Sequence, residues 1–290
     1  MEINSILIQL LNGIQYGLLL FLVAAGLTLV FGIMGVINLA HGSFYMIGAY
    51  LAWSLAELAG SFWVGIAIGI VLTIILGMVL EVVFFKHLYR RDHLYQVLMT
   101  YGLILIFEDL RSVLWGNDIH GVVIPELLNS SIQLTENLTY PMYRFFVSAV
   151  CIAIAIGLYL TIQRTRLGMI IRAGATNSEM TQVLGVNIKL IHAVVFSIGV
   201  SLAAIAGMVA SPISSAYPNM GTQVLITCFV IVVIGGIGSV WGALAGALLI
   251  GLADTFGNVF APEYSGLSVF ILMSIILIWR PEGLFKRSYK

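Results

Sequence analysis

The chain has 290 residues, 60% of them hydrophobic and 9% charged, and its thirteen lysines and arginines balance thirteen acids. Soluble domains carry roughly a quarter charged residues, so this chain has too little polar surface to cover itself in water. A mean hydropathy of +1.06 makes it one integral membrane domain over residues 1–290, with no separate soluble module and no nucleic-acid partner expected.

A helix needs about 20 apolar residues to cross the hydrocarbon core, which leaves room for about eight to ten spans in an all-α polytopic bundle. Apolar runs place nine of them at 6–33, 36–57, 62–85, 94–116, 143–163, 190–211, 222–237, 239–258 and 267–279. The first lacks a basic leader and an early small-x-small site, so it reads as a span and not a signal peptide. All six prolines fall outside the nine runs, as residues that break helical hydrogen bonding should. The divisions near Gly35 and Gly238 are the least marked, and a re-entrant turn is an alternative at each. Cys151 and Cys228 lie within apolar runs, where cysteine acts as a small hydrophobe, and neither a disulfide nor a metal site is suggested.

Polar residues in the spans are costly and therefore informative. Asn38 and His41 interrupt the run GIMGVINLAHG (32–42); they read either as a polar connection between two spans or as part of a gate or path. Glu81 reads as interfacial, just before the basic loop 86–93. Glu108 and Arg111, three apart on one helix face, form a candidate intramembrane ion pair. Gly238, Gly242 and Gly246 stand at four-residue spacing, the pattern of close helix packing, with Gly13/Gly17 and Gly65/Gly69 repeating it. Asp254 and Asn258 fall near the far end of their span, either solvated or facing a docking partner.

Loop charge sets orientation. Loop 86–93 holds three lysines and arginines, 164–190 four, and Arg280 to Lys290 another four, whereas 117–142 has none and carries Asp118, Glu126 and Glu136. With nine spans every basic segment falls on one side, expected to be cytoplasmic together with the carboxyl terminus. No G-x-x-x-x-G-K-[ST] and no H-E-x-x-H occurs, so neither ATP binding by a P-loop nor zinc hydrolysis is expected, and no cofactor.

The stretch Gln163–Ile191 is the exception in a lipid-loving chain. It carries Arg164, Arg166, Arg172 and Lys189, and a short helix is predicted from a cap at Asn177 or Ser178 to a stop at Gly185. A soluble segment of this kind is where a cytosolic partner would grip.

Four blocks carry a family resemblance: GLTLVFGIMGVINLAHGSFYMIGAYLA (26–52), the polar stretch with GVSLAAIAGMVA (199–210), VIVVIGGIGSVWGALAGALLIGL (230–252) and WRPEGLF (279–285). Together they resemble the permease of bacterial branched-chain amino-acid ABC importers, the LIV type. The resemblance implies a non-catalytic subunit in the bacterial inner membrane, surrounded by membrane lipid. Its implied partners are a second related permease, two cytoplasmic ATPases and a periplasmic binding protein. It also implies a coupling helix in the loop 164–190, with Arg172, Asn177, Glu179 and Gly185 as marked positions. Glu179 and Gly185 keep the spacing of the family's E-A-A-x-x-x-G element, while Met180 and Thr181 replace its alanines. Close relatives handle other amino acids, amides or urea, and a self-sufficient secondary transporter is a further alternative. Tight binding of the solute need not occur in the chain itself, in keeping with the lack of a conspicuous charged site.

Overall fold

The computed structural model describes residues 3–89, 91–135 and 138–285; Arg90, Glu136, Lys286, Arg287 and Lys290, counted above among the loop charges, lie outside the described residues. Among the described residues are eleven α-helices: α1 (Ile3–Met34), α2 (His41–Ala59), α3 (Phe62–Val83), α4 (His93–Trp115), α5 (Met142–Arg164), α6 (Arg166–Thr176), α7 (Ser178–Val183), α8 (Ile188–Ser214), α9 (Met220–Gly235), α10 (Val240–Phe260) and α11 (Ser265–Trp279). All except α6 and α7 occupy the nine expected spans, and these two fill the polar stretch. Five helices are long and apolar enough to cross a membrane by length and composition, while α9 and α11 are shorter. Since the nine alternate in direction, the bundle has an acidic end with the 117–141 loop and a basic end with α6 and α7.

One element was not expected. Strands β1 (Ser131–Thr135) and β2 (Leu138–Pro141) form an antiparallel hairpin at the acidic end, with Ser131 opposite Pro141. In β2 the alternate residues Leu138 and Tyr140 are buried, the two-residue period of a strand lying on a protein surface.

Both weak divisions are turns at the basic end. Gly35, at φ +64°, ends α1, and the chain re-enters helix at His41. Gly236 and Gly238, at φ +94° and +80°, separate α9 from α10, and Ser239 caps α10 by accepting from the Gly242 amide at 3.0 Å. The last carbonyls of α9 are taken up by the ending of the chain: Leu284 N–H donates to Ile234 O at 2.8 Å and Phe285 N–H to Gly235 O at 3.2 Å.

The proline rule needs one correction, because Pro212 lies inside α8. It stands in the last turn, where its ring removes a single hydrogen bond to the Met208 carbonyl. Ser211 Oγ donates to that oxygen at 2.8 Å instead, so the helix continues to Ser214.

Helices α1 and α8 form the buried centre, α1 against α10 and α8, and α8 against α2 and α3. Lipid supplies no hydrophobic drive between helices, so they meet where side chains are absent. A Cβ on Gly207 would collide with the Tyr45 carbonyl, one on Gly48 with Ala204, and one on Gly42 with Gly221. Gly242 faces Gly235, and a Cβ on Gly246 would come within 2.8 Å of the Ile231 carbonyl, which seats α10 on α9. Gly238, grouped with them by spacing, stands in the turn and serves the backbone there.

Candidate functional site

A cavity of about 510 Å³ lies in the acidic-end half of the bundle between α1, α8, α9 and α10, with Tyr45 of α2 and Arg144 of α5 completing its wall. Its lining on α1 runs from Gln9 to Val23, about 21 Å at 1.5 Å per residue, so it passes well into the membrane thickness. Asn12 and Gln15 lie towards the acidic end, and Leu19, Leu20 and Val23 lie deeper. Arg144 donates to Asn12 Oδ1, and the Tyr140 hydroxyl of the hairpin donates to the same oxygen at 3.1 Å. Tyr217 and Gln223 bond to each other at 2.9 Å, and Asn258 Nδ2 donates to Asp254 Oδ2 at 3.2 Å. The sequence had set Asp254 and Asn258 at the end of a span; the structure turns them to this cavity.

Beneath the cavity the bundle is closed. His41 is fully buried and its Nε2 lies 3.0 Å from the carbonyl of Val23, the deepest lining residue of α1. Its ring fits only because position 26 is glycine: a Cβ there would come within 3.1 Å of the imidazole and 2.6 Å of the Gly199 carbonyl. Asn38, also fully buried, accepts from the Ala40 amide at 3.1 Å, while its Nδ2 and His41 Nδ1 have no partner among the described residues. Neither residue lines the cavity. They form its closed underside at the junction of α1, α2 and α8.

At the basic end the polar stretch is a rigid elbow followed by an exposed helix. Thr165 caps α6 by accepting from Gly168 N–H at 3.1 Å, and its hydroxyl donates to Thr161 O at 2.6 Å. A Cβ on Gly168 would run into the Ile162 carbonyl, the oxygen to which Arg172 Nη1 donates. Arg172 therefore ties α6 back onto α5. Asn177 caps α7 by accepting from Met180 N–H at 2.9 Å. At the other end Gly185, at φ +88°, donates to Gln182 O at 3.0 Å and Val186 donates to Thr181 O at 3.4 Å, the paired bonds of a left-handed helix stop. Glu179 is exposed. Met180, Val183 and Leu184, at i, i+3 and i+4, give α7 an apolar face, and they are 58%, 81% and 77% exposed. That spacing was legible, but only the structure shows the face uncovered.

The remaining charged candidates serve helix ends. Arg111 pairs with Glu108 at 3.3 Å and donates to Gly116 O at 2.6 Å and Asn117 Oδ1 at 2.9 Å, closing the acidic end of α4. Glu81 is buried rather than interfacial, because the Tyr89 hydroxyl covers and donates to it at 2.6 Å. Burial, reinforced by that bond, pushes the Tyr89 hydroxyl far above the usual phenol range and keeps it a donor. Tyr89 also meets the ring of His192 edge-on at 4.7 Å, which fastens the basic loop to the start of α8.

A helical membrane bundle with a cavity that carries polar and charged groups towards one end and an exposed, capped helix at the other fits the membrane component of a solute transporter. The chain belongs to the family "branched-chain amino acid transport system / permease component", whose model matches residues 9–277. It is 34% identical to the high-affinity branched-chain amino acid transport system permease protein BraD of Pseudomonas aeruginosa, over 99% of this chain and 97% of the relative. It is 28% identical to permease protein LivH of the corresponding Escherichia coli K12 system, over 96% and 95% of the two chains. The fold is similar to a solved structure of PsaBC from Streptococcus pneumoniae in complex with Fab, with a TM-score of 0.50 and 11% identity over 92% of this chain and 89% of that one.

Proposed function

We propose that this permease carries branched-chain amino acids inward across the bacterial inner membrane as one membrane half of an ATP-driven assembly. The observation that carries the reading is a cavity in the acidic-end half of the bundle, bounded below by the buried His41 junction and linked to α7 by one continuous helix. That helix is α8. Its 27 residues, about 40 Å long, begin next to the turn after α7 and end at Ala210, Ile213 and Ser214 in the cavity wall. Tilting of α7 by an ATPase dimer is transmitted through α8 to the contacts that close the cavity floor. Opening the floor while the acidic end closes is alternating access, with a periplasmic binding protein delivering solute at the acidic end. The apolar face of α7 suits a helix-in-groove contact with an ATPase, and a second related permease completes the path on the opposite side.

This reading sets the acidic end outside and α7 in the cytoplasm. Cys151 and Cys228 are both buried, so an engineered thiol reports against a quiet background. In intact spheroplasts a membrane-impermeant maleimide is expected to label Val123→Cys, and to label Leu190→Cys, beside α7 but outside its apolar face, only after the membrane is opened. Labelling of Leu190→Cys in sealed spheroplasts reverses the orientation and removes α7 from contact with an ATPase.

A further inference from the structure

We propose that Arg144 and Asp254 are the substrate-reading charges of the permease: Arg144 takes the carboxylate and Asp254 the ammonium of an α-amino acid in the acidic-end cavity. This rests on the permease reading above and names where the solute is held.

The charged residues in the cavity lining are these two, on α5 and α10. Neither belongs to an ion pair among the described residues; Arg144 is held by the neutral Asn12 and Asp254 by the neutral Asn258. Charges in a membrane domain are expensive and usually neutralise one another. Here they are oriented by amides and left uncompensated, the arrangement that suits a zwitterion bringing one charge of each sign. Asp254 lies six residues before the end of α10 at Phe260, about 9 Å inside the acidic end.

Gln15 lines the same cavity at 4% exposure and bonds to no described residue, and its amide faces the cavity space, where it can meet what enters. The lining also orders the ligand: the amides and charges lie above, and Leu19, Leu20 and Val23 lie below. The zwitterionic head stays at the level of Asn12 and Asp254, and an aliphatic side chain points down to the closed floor. At about 510 Å³ the cavity is within the usual size of small-molecule sites, about 300–1,000 Å³.

The test is direct binding to the nucleotide-free assembly in nanodiscs, without the binding protein, for three probes: leucine, 4-methylpentanoate (no ammonium) and 3-methylbutylamine (no carboxylate). Arg144→Gln and Asp254→Asn are each expected to weaken leucine about tenfold or more, the worth of one charge-assisted bond. Arg144→Gln should weaken 4-methylpentanoate and spare the amine; Asp254→Asn should weaken the amine and spare the acid. Arg144→Lys and Asp254→Glu keep the charge and are expected to restore part of the affinity, which separates recognition from folding. Equal weakening of all three probes, no change in any, or no saturable leucine binding by the unaltered assembly overturns the pair. ATP-driven leucine uptake by the unaltered assembly keeps the two levels apart: uptake without the crossed pattern removes the pair alone, whereas no uptake removes the permease reading for this solute.

Discussion

The double substitution Val183→Asp with Leu184→Asp is expected to separate the permease from the ATPases proposed to drive it, while leaving the permease folded. Both side chains are largely exposed, at 81% and 77%, so their replacement removes almost no internal packing. The cap at Asn177 and the stop at Gly185 are untouched, so α7 keeps its shape. What changes is its apolar face, which would have to bring two carboxylates into an apolar groove. Central interface side chains are worth about 2 kcal/mol or more each, so the pair should lower affinity by roughly a thousandfold and abolish uptake. Co-purification with the ATPase subunits and the thermal midpoint of the permease together give the answer. Unchanged co-purification would mean that α7 is not the docking element. Gly185→Pro reaches the same end differently, since proline cannot hold a φ of +88° and its missing N–H deprives Gln182 O of its donor.

The largest effect on folding is expected from Gly207→Val. At this crossing α8 lies against the backbone of α2, and the obstacle to any Cβ is the carbonyl oxygen of Tyr45, which cannot rotate away as a side chain would. Overpacking against movable side chains already costs about 1–3 kcal/mol, and here two central helices must separate. The variant is expected to lose the monodisperse peak on gel filtration in detergent. Gly157→Val is the matched control, because a Cβ on Gly157 meets no atom within 4 Å and α5 there faces outward. A stable, monodisperse Gly207→Val would show that the α2–α8 contact is looser than its geometry.

Spans were legible because twenty-residue apolar runs and their polar breaks are set by the bilayer. Gly35 and Gly238 were legible as weak points because glycine accommodates the positive φ that both turns need. Asn177 and Gly185 were readable from local capping chemistry. Tertiary proximity was not. Nothing in sequence brings Asn12, Arg144 and Asp254, on three separate helices, to one cavity, and so no charged site was expected. Arg172 is a marked position of the coupling loop by resemblance, but its bond to the Ile162 carbonyl, which ties α6 to α5, is a tertiary contact that local sequence does not show. In a chain so rich in apolar residues, Met180, Val183 and Leu184 are set apart as a face only by their exposure, which is a tertiary property. Pro212 was placed just outside a span because the rule against proline is local, whereas Ser211 supplies the compensating bond from one residue away.

The most direct measurement is uptake by proteoliposomes that hold the permease with its partner permease and two ATPases, with binding protein and radiolabelled leucine supplied at the acidic face. Leucine is expected to accumulate only when ATP is available at the α7 face, and accumulation should cease with Val183→Asp/Leu184→Asp. ATP-independent accumulation driven by an ion gradient in liposomes of this chain alone would contradict a permease powered through α7.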